Sequence, residues 1–423
     1  MSPLNVNSAS IFSRRQYTLA MLAVAYMLNF MDRQILVILQ EPIKADLGLA
    51  DWQLGLLTGF AFAIFYTIMG IPIARLADRG NRRNIISISI AIWSAMTAAC
   101  GLAQNFWHMM LARIGVGVGE AGCSPPAHSI ISDLYEPENR ATAMATYNVG
   151  VYFGILIGFM LGGWINEFFG WRMAFAAVGL PGILFALWMW LTVQEPERRD
   201  AAPEAPPLAS VFNTLWSSRC FRHLALAGSL HAFVGYGVGN WAPSFFIRSH
   251  GLSVVEVAML FAPIGAFAGA IGALLGGYYS DKLSQRDVRW NIWLPGLAVF
   301  CSVPFSMTVY LVDGPYVALV LSIIPVVLGA TYLGPMLAIT HSLVTPRMRA
   351  VASSILFLIL NLIGLGIGPW ATGLISDLLQ PTLGSESLRW ALIIVILGNV
   401  WCAVHYYFSA KHLSGDLARV PAA

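Results

Sequence analysis

The stretch ARLADRGNRRN, Ala74–Asn84, is a short and strongly charged turn between two apolar segments. These segments, residues 52–76 and 84–104, are each long enough to cross a bilayer as a helix. A second charged turn, GYYSDKLSQR at residues 277–286, follows another apolar segment, and its Asp281 lies 203 residues after Asp78. The spacing predicts two repeated halves that cross the membrane in the same orientation.

The composition of the whole chain predicts an all-α membrane protein. Of its 423 residues 57% are hydrophobic and 11% are charged, and the mean hydropathy is +0.69, whereas soluble domains carry about 25% charged residues. Twelve apolar segments are long enough to span a bilayer, which predicts two six-helix parallel-repeat bundles. The predicted spans are residues 17–41, 52–76, 84–104, 106–131, 140–166, 171–193, 221–247, 254–279, 290–311, 315–344, 349–378 and 387–409.

The positions of lysine and arginine predict the orientation. With a cytoplasmic N-terminus, 18 of the 24 lie in inner loops and four in outer loops, so both termini are expected in the cytoplasm. The predicted domains are residues 1–193, a cytoplasmic linker over 194–220 and residues 221–423. Within the linker, apolar residues at helical spacing predict a short interfacial helix. They are Leu208, Val211, Phe212, Leu215 and Trp216. Short loops indicate a bacterial cytoplasmic membrane.

Four charged residues interrupt the apolar segments of the first half. Asp32 and Arg33 lie in the first segment, and Arg113 and Glu120 lie seven residues apart on one face of the fourth. Because a charge at mid-membrane depth costs several kcal/mol unless it is paired or hydrated, they are expected to share one cavity. The two arginines can bind a phosphate or carboxylate of the cargo, and the two acids can carry protons. The alternative is that these residues form structural ion pairs that only fix the helix packing.

The second half has no acid, lysine or arginine near mid-depth in its spans, and it is rich in aromatic residues. Tyr236, Trp241 and Tyr332 are expected to contribute to an apolar chamber that binds cargo. His231 is expected to make a structural hydrogen bond rather than to relay protons. A charged half and an apolar half suit an amphiphile with an anionic head group.

The charged turns also suggest gates. Asp78 and Arg79 are expected to pair with groups near Arg349, and Asp281 is expected to do the same near Arg140. The alternative is that these residues only fix the topology. In the fifth segment, glycines recur every four residues and predict a flat stripe that another helix can approach closely. They are Gly150, Gly154, Gly158 and Gly162.

The turn at Ala74–Asn84 resembles the signature loop of the major facilitator superfamily, with Ala74 and Asn81 in place of its usual glycines. The glycine row of the fifth segment resembles the superfamily's antiporter motif without its proline, and Arg113 before GVGVG resembles a third motif. NFMDRQILVILQEPIKADLGLADWQLGLL and RIGVGVGEAG are similar to the Spinster group. That resemblance implies transport of sphingosine phosphates or lysophospholipids, with proton coupling in some members.

We therefore expect a secondary transporter that moves an amphiphilic anionic lipid by alternating access, with Asp32 and Glu120 coupling protons and Arg33 and Arg113 binding the head group. Alternatives are a proton-driven multidrug exporter, a small organic-acid transporter, and a sensor or membrane enzyme. The sequence shows no nucleophile–base pair, Walker motif or metal-ligand spacing among its five cysteines. We expect no catalytic residue, cofactor, metal or nucleic-acid partner, and a monomer among membrane lipids.

Overall fold

The computed structural model describes residues 6–198 and 206–419, with side chains from residue 14 onward, and this part of the chain contains helices and no strand. The all-α prediction is confirmed. Seven linker residues from position 199 to 205, including Arg199, lie outside the described residues.

Nineteen α-helices occur in the described ranges. They are α1 Val6–Ile38, α2 Gln40–Leu47, α3 Asp51–Thr58, α4 Phe60–Arg79, α5 Arg82–Cys100, α6 Phe106–Glu120, α7 Ser124–Leu134, α8 Pro137–Thr192, α9 Leu208–Ser217, α10 Arg219–His250, α11 Val254–Pro263, α12 Gly269–Ser284, α13 Trp290–Leu311, α14 Pro315–Gly329, α15 Leu333–Ser342, α16 Arg349–Leu360, α17 Gly368–Leu383, α18 Ser387–Ile396 and α19 Gly398–Leu417. Turns of π-helix at Ile264–Ala268 and Asn361–Ile367 join α11 to α12 and α16 to α17.

Each of the twelve predicted spans is helical. Four spans are single helices, α1, α5, α10 and α13, and most of the others are broken once. The fifth and sixth spans form one continuous helix, α8, which turns at Gly170, where φ is 80°. By length and composition, eight helical stretches of the described chain can cross a membrane, and two of them, residues 137–192 and 346–417, hold two predicted spans each.

The break between α6 and α7 positions a charged residue. Pro125 and Pro126 lie in the first turn of α7, where a missing backbone N–H costs no helical hydrogen bond. Helix α6 therefore ends at Glu120. Three residues separate it from α7, which begins at Ser124.

Contacts divide the chain into two compact units. Unit 1 holds the residues up to Leu39 and those from Ile64 into the linker, and unit 2 holds Gln40–Ala63 and the chain after the linker. The segment Gln40–Ala63 groups with the later helices because α3 packs closely on α17. A Cβ atom on Gly55 of α3 would lie 2.8 Å from the Cα atom of Trp370 in α17 and closer still to the carbonyl oxygen of Pro369, so a larger residue there would collide.

In unit 1, the predicted glycine stripe is confirmed as a packing surface. The stripe of α8 faces α1, and a Cβ atom on Gly154 would lie 2.5 Å from the carbonyl oxygen of Met27. One turn earlier, a Cβ atom on Gly150 would lie 2.5 Å from the carbonyl oxygen of Ala23. The absence of side chains lets the two backbones approach each other, and this approach fixes the position of α1.

Unit 2 repeats this arrangement. Gly364 packs against Ala232 of α10, and a Cβ atom on Gly368 would lie 2.5 Å from the carbonyl oxygen of Phe233. The first and fifth spans of the second half therefore meet through glycines, as they do in the first half. Helix α9, with Val211 and Leu215 buried in the unit 2 core, confirms the short helix predicted for the linker.

Candidate functional site

The four charged residues within the spans of the first half are brought together in unit 1. Helix α1 supplies Asp32 and Arg33, and α6 supplies Arg113 and Glu120 from one face. The glycine stripe of α8 holds α1 in place, and the break after Glu120 ends α6 beside it. The four residues therefore lie close together, and the cavity that they were predicted to share stays a prediction.

Arg33 and Glu120 form an ion pair. The Nε of Arg33 donates to Oε2 of Glu120 at 2.7 Å, and the side chain of Arg33 is 17% exposed whereas that of Glu120 is completely buried. The guanidinium also lies over the rings of Phe30 and Tyr66, 4.9 and 5.0 Å from their centroids. Oε1 of Glu120 makes no hydrogen bond to any described residue.

Asp32 and Arg113 are buried next to this pair. Asp32 interacts electrostatically with Arg113 and Glu120, and the side chains of Thr97 and Trp93 lie beside its carboxylate. Two acids and two arginines balance in formal charge, which offsets part of the cost of burying them. Asp32, Arg113 and Glu120 are buried, whereas the side chain of Arg33 is 17% exposed.

Unit 2 contains a cavity of about 330 Å³. Tyr236 and Tyr332 line it, whereas Trp241 is buried outside the lining and donates from Nε1 to the carbonyl oxygen of Pro369 at 2.8 Å. His231 also lines the cavity, and its Nε2 bonds to the Gly329 carbonyl oxygen at 2.8 Å. The structural hydrogen bond predicted for His231 is confirmed.

The predicted gate residues lie at helix ends. Asp78 and Arg79 are in the last turn of α4, and Arg349 begins α16. Asp281 lies in the last turn of α12, and Arg140 of α8 donates to the carbonyl oxygen of Ser132 at 2.9 Å. Each predicted gate pair joins residues of different units, and both pairs stay predictions.

Arg82 of the signature loop anchors the charged turn, a role that the sequence analysis did not predict. Its side chain is buried and donates to Glu195 at 2.7 Å, to Ser129 at 2.9 Å and to Asp133. It also donates to the carbonyl oxygen of Pro196 at 2.9 Å. The adjacent arginines of the signature loop were the sequence feature that could have indicated this anchor, because one guanidinium can bind several acceptors at once.

A second ionic cluster in unit 2 was also missed. Arg248, in the last turn of α10, binds both oxygens of Glu41 at 2.8 and 2.9 Å and both oxygens of Asp51 at 2.7 and 2.8 Å. Lys44 also bonds to Asp51, and the hydroxyl of Ser376 donates to it at 2.7 Å. In the sequence these residues are isolated charges in or near loops, and only the fold shows that they pair.

Asp377 completes the attachment of α3. Its carboxylate accepts the backbone N–H groups of Asp51 at 3.1 Å and Trp52 at 2.7 Å, which are orphan donors of the first helical turn. A carboxylate at this position also interacts favourably with the helix dipole. The start of the second span is therefore bound to α17 by side chains as well as by close backbone packing.

Twelve apolar helical spans in two repeated halves, with a buried charge cluster in one half and an apolar cavity in the other, define a polytopic membrane transporter. The family model of the Major Facilitator Superfamily matches residues 22–369, and the chain belongs to this family. It is consequently a multi-pass membrane protein and a transporter rather than an enzyme.

Among solved structures, the chain is similar to a bacterial homologue of the human lysosomal transporter Spinster in an inward-facing and unoccupied conformation. The TM-score is 0.87 at 35% identity, over 95% of this chain and 98% of that one. An MFS-type efflux pump of Mycolicibacterium smegmatis is 30% identical over 94% of this chain and 92% of its own length. Protein spinster homolog 1 of Rattus norvegicus is 27% identical over 96% and 83%. The predicted resemblance to Spinster proteins is confirmed.

Proposed function

We propose that this transporter moves an amphiphilic anionic lipid, of the lysophospholipid or sphingosine phosphate type, by alternating access coupled to protons. The observation that carries the proposal is the Arg33–Glu120 ion pair, in which a partly exposed arginine is bound to a completely buried acid. A bound anion competes with Glu120 for the same guanidinium.

The coupling follows from this competition. When Glu120 is ionised, it holds Arg33 through a charge-assisted hydrogen bond. When Glu120 takes up a proton, that bond weakens and Arg33 becomes available to a phosphate or carboxylate. Asp32 is the second proton-carrying candidate, because it lies close to Glu120 and is balanced by Arg113. Arg113 acts in the head-group site by setting this charge balance.

The apolar part of the cargo has a matching site in unit 2. The cavity is lined by aromatic and aliphatic side chains, including Tyr236, Phe246 and Tyr332, and apolar lining is what a hydrocarbon chain requires. Trp241 lies outside this lining, where it is bonded to the Pro369 carbonyl oxygen, and we do not assign it a contact with the cargo. The similarity to Spinster proteins supports this cargo class.

The proposal includes the setting of the protein. The excess of arginine and lysine in alternate loops supports cytoplasmic termini and a bacterial cytoplasmic membrane. It also supports cytoplasmic positions for the proposed gates, Asp78 and Arg79 with Arg349, and Asp281 with Arg140. We propose a monomer as the working unit, since each half already contributes a site of its own.

The test is flux in proteoliposomes that contain the purified protein under an imposed pH gradient. A fluorescent lysophospholipid should move in response to the gradient, and Glu120→Gln should abolish the response to pH while the protein remains folded. Glu197→Gln, an exposed glutamate outside the cluster, is the matched control and should behave like the unsubstituted protein. Unchanged pH dependence in Glu120→Gln would remove Glu120 from the coupling mechanism.

A second candidate function is proton-driven export of drugs or transport of small organic acids. The similarity to the Mycolicibacterium efflux pump supports it, and Arg33 can bind a carboxylate as well as a phosphate. The flux of several candidate cargoes, measured in the same proteoliposomes, distinguishes the two candidate functions. Flux of aromatic acids or cationic dyes without flux of lysophospholipids would favour the second candidate.

A further inference from the structure

Three histidines meet at the surface of unit 2, where α10 packs on α19. His223 lies near the start of α10, and His405 and His412 lie seven residues apart on one face of α19. The Nδ1 atoms of His223 and His405 are 2.9 Å apart, and the ring of His412 is stacked on that of His223 with centroids 6.0 Å apart. All three residues are partly exposed. We call these three residues and Arg222 the histidine patch.

The contact between His223 and His405 leaves a hydrogen-bond donor unused. One Nδ1 atom donates to the other, and the neutral ring that accepts at Nδ1 carries its own proton at Nε2. The Nε2 atoms of both rings bond to no described residue, and both keep accessible surface. The pair can therefore donate a hydrogen bond to a molecule outside the protein.

The histidine patch is basic, and none of the described acids balances it. Arg222 and the two other histidines act electrostatically on His223, and no acid does so among the described residues. Arg222 itself forms no ion pair within the described ranges. Asp416 of α19 is buried and is engaged by the start of α10, where it accepts from Ser218 Oγ at 2.8 Å and from the backbone N–H of Cys220 at 2.7 Å. The charge of the patch is thus left for an anion outside the protein.

An apolar surface adjoins the histidine patch. Leu226 lies one turn after Arg222 in α10, and Trp401 and Phe408 lie on α19; all three are exposed. The ring of Phe408 contacts that of His223, with centroids 5.4 Å apart. The three histidines lie within about 6 Å, along the helix axes, of the ends of the predicted spans 221–247 and 387–409. The patch is therefore at the level of lipid head groups, and the apolar side chains of Leu226 and Trp401 lie toward the hydrocarbon.

We propose that the histidine patch binds the phosphate of an anionic phospholipid whose acyl chains lie on Leu226, Trp401 and Phe408. Arg222 attracts the negative charge, and the histidine pair donates from Nε2 to a phosphate oxygen. A metal ion is a poorer match, because no three metal-ligating side chains of the described chain are placed to hold one. The inference does not depend on the proposed cargo, and the proposed cytoplasmic termini assign the site to the inner leaflet.

The test compares two photoreactive phospholipids that share their acyl chains. One is a phosphatidylglycerol and the other a phosphatidylcholine, each with a diazirine in one chain close to the glycerol. The full-length protein is reconstituted in phosphatidylcholine vesicles that contain a trace of either probe, and labelled peptides are mapped by mass spectrometry. Peptides around residues 219–230 and 401–412 should carry about fivefold more label from phosphatidylglycerol, the preference that one basic residue near a membrane surface supplies.

Matched variants assign the preference to the patch. Arg222→Gln should remove most of it, and the double variant His223→Gln with His405→Gln should lower it at least about twofold, because a donor to the phosphate is lost. Arg286→Gln removes the same charge at an exposed site in the turn after α12, and His108→Gln replaces an exposed histidine of α6. Both controls should keep the label ratio of the unsubstituted protein.

The ratio compares two probes on one variant, so partial loss of folding lowers both signals together. Equal labelling by both probes, or a ratio in Arg222→Gln equal to that in Arg286→Gln, would overturn the inference. An unchanged ratio in the histidine double variant would overturn the part assigned to the pair.

A last arm separates a lipid from free phosphate. Excess inorganic phosphate, at constant ionic strength, should leave the ratio unchanged, and a lost preference would make the patch a site for free phosphate instead. None of these readouts measures flux of a lysophospholipid. Failure of the proposed function is therefore a separate outcome.

Discussion

The Arg248 cluster provides a quantitative test of how the start of the second span is held in unit 2. Replacing Arg248 by Met removes four hydrogen bonds to Glu41 and Asp51. It leaves the Asp51 side chain, which is 3% exposed, without its main cation. Removing one partner of a buried ion pair costs roughly 3–5 kcal/mol. Lys44 and Ser376 still bind Asp51, and we therefore expect the low end, about 3 kcal/mol.

The assay is equilibrium unfolding in mixed micelles with increasing dodecyl sulfate, followed by tryptophan fluorescence. Asp51→Asn and the double variant complete a mutant cycle, and we expect a coupling energy of about 1–3 kcal/mol because the two residues share a network. Arg289→Gln is the control, since it removes an ion pair with Asp287 at the exposed surface, where solvent screens the attraction, and it should leave the stability nearly unchanged. If Arg248→Met lowers the free energy of unfolding by less than about 1 kcal/mol, the Arg248–Asp51 pair contributes no more than a surface ion pair. That result would refute the claim that it holds the start of the second span.

Three further changes test the packing and the anchors of the fold, all by the same unfolding measurement. Gly154→Ala should destabilise by about 1–3 kcal/mol because its Cβ would lie 2.5 Å from the Met27 carbonyl oxygen, whereas Gly235→Ala, with open space around it, should not. Arg82→Lys should cost about 1–3 kcal/mol, because an ammonium group cannot reach all the acceptors that the guanidinium binds; a neutral result would show that the turn is held by other contacts. Trp241→Phe should cost about 1 kcal/mol for the lost hydrogen bond plus the lost packing, and an unchanged midpoint would contradict that bond.

The sequence alone was sufficient for the membrane class, the twelve spans, the repeat and the family. These properties depend on hydropathy and on local spacing. About twenty apolar residues must form a helix in lipid because the bilayer offers no partner for backbone groups. The glycine stripe at Gly150–Gly162 was also predictable from local spacing, because residues four apart lie on one helix face.

The four charges in the spans were identified from their residue types, and the spacing of seven placed Arg113 and Glu120 on one helix face. Their pairing was not predictable from the sequence. Arg33 and Glu120 lie 87 positions apart, and they meet only because α1 packs against α8. The sequence treated Arg33 and Arg113 as equivalent, but the fold buries Arg113 and leaves Arg33 partly exposed.

The Arg248 cluster was decided by tertiary structure alone. Arg248 and Asp51 are 197 residues apart, and each looks like an ordinary loop charge until α3 packs on α17. Local pattern determines which segments form helices in lipid, whereas side-chain partners depend on which helix faces meet, and that requires long-range contacts.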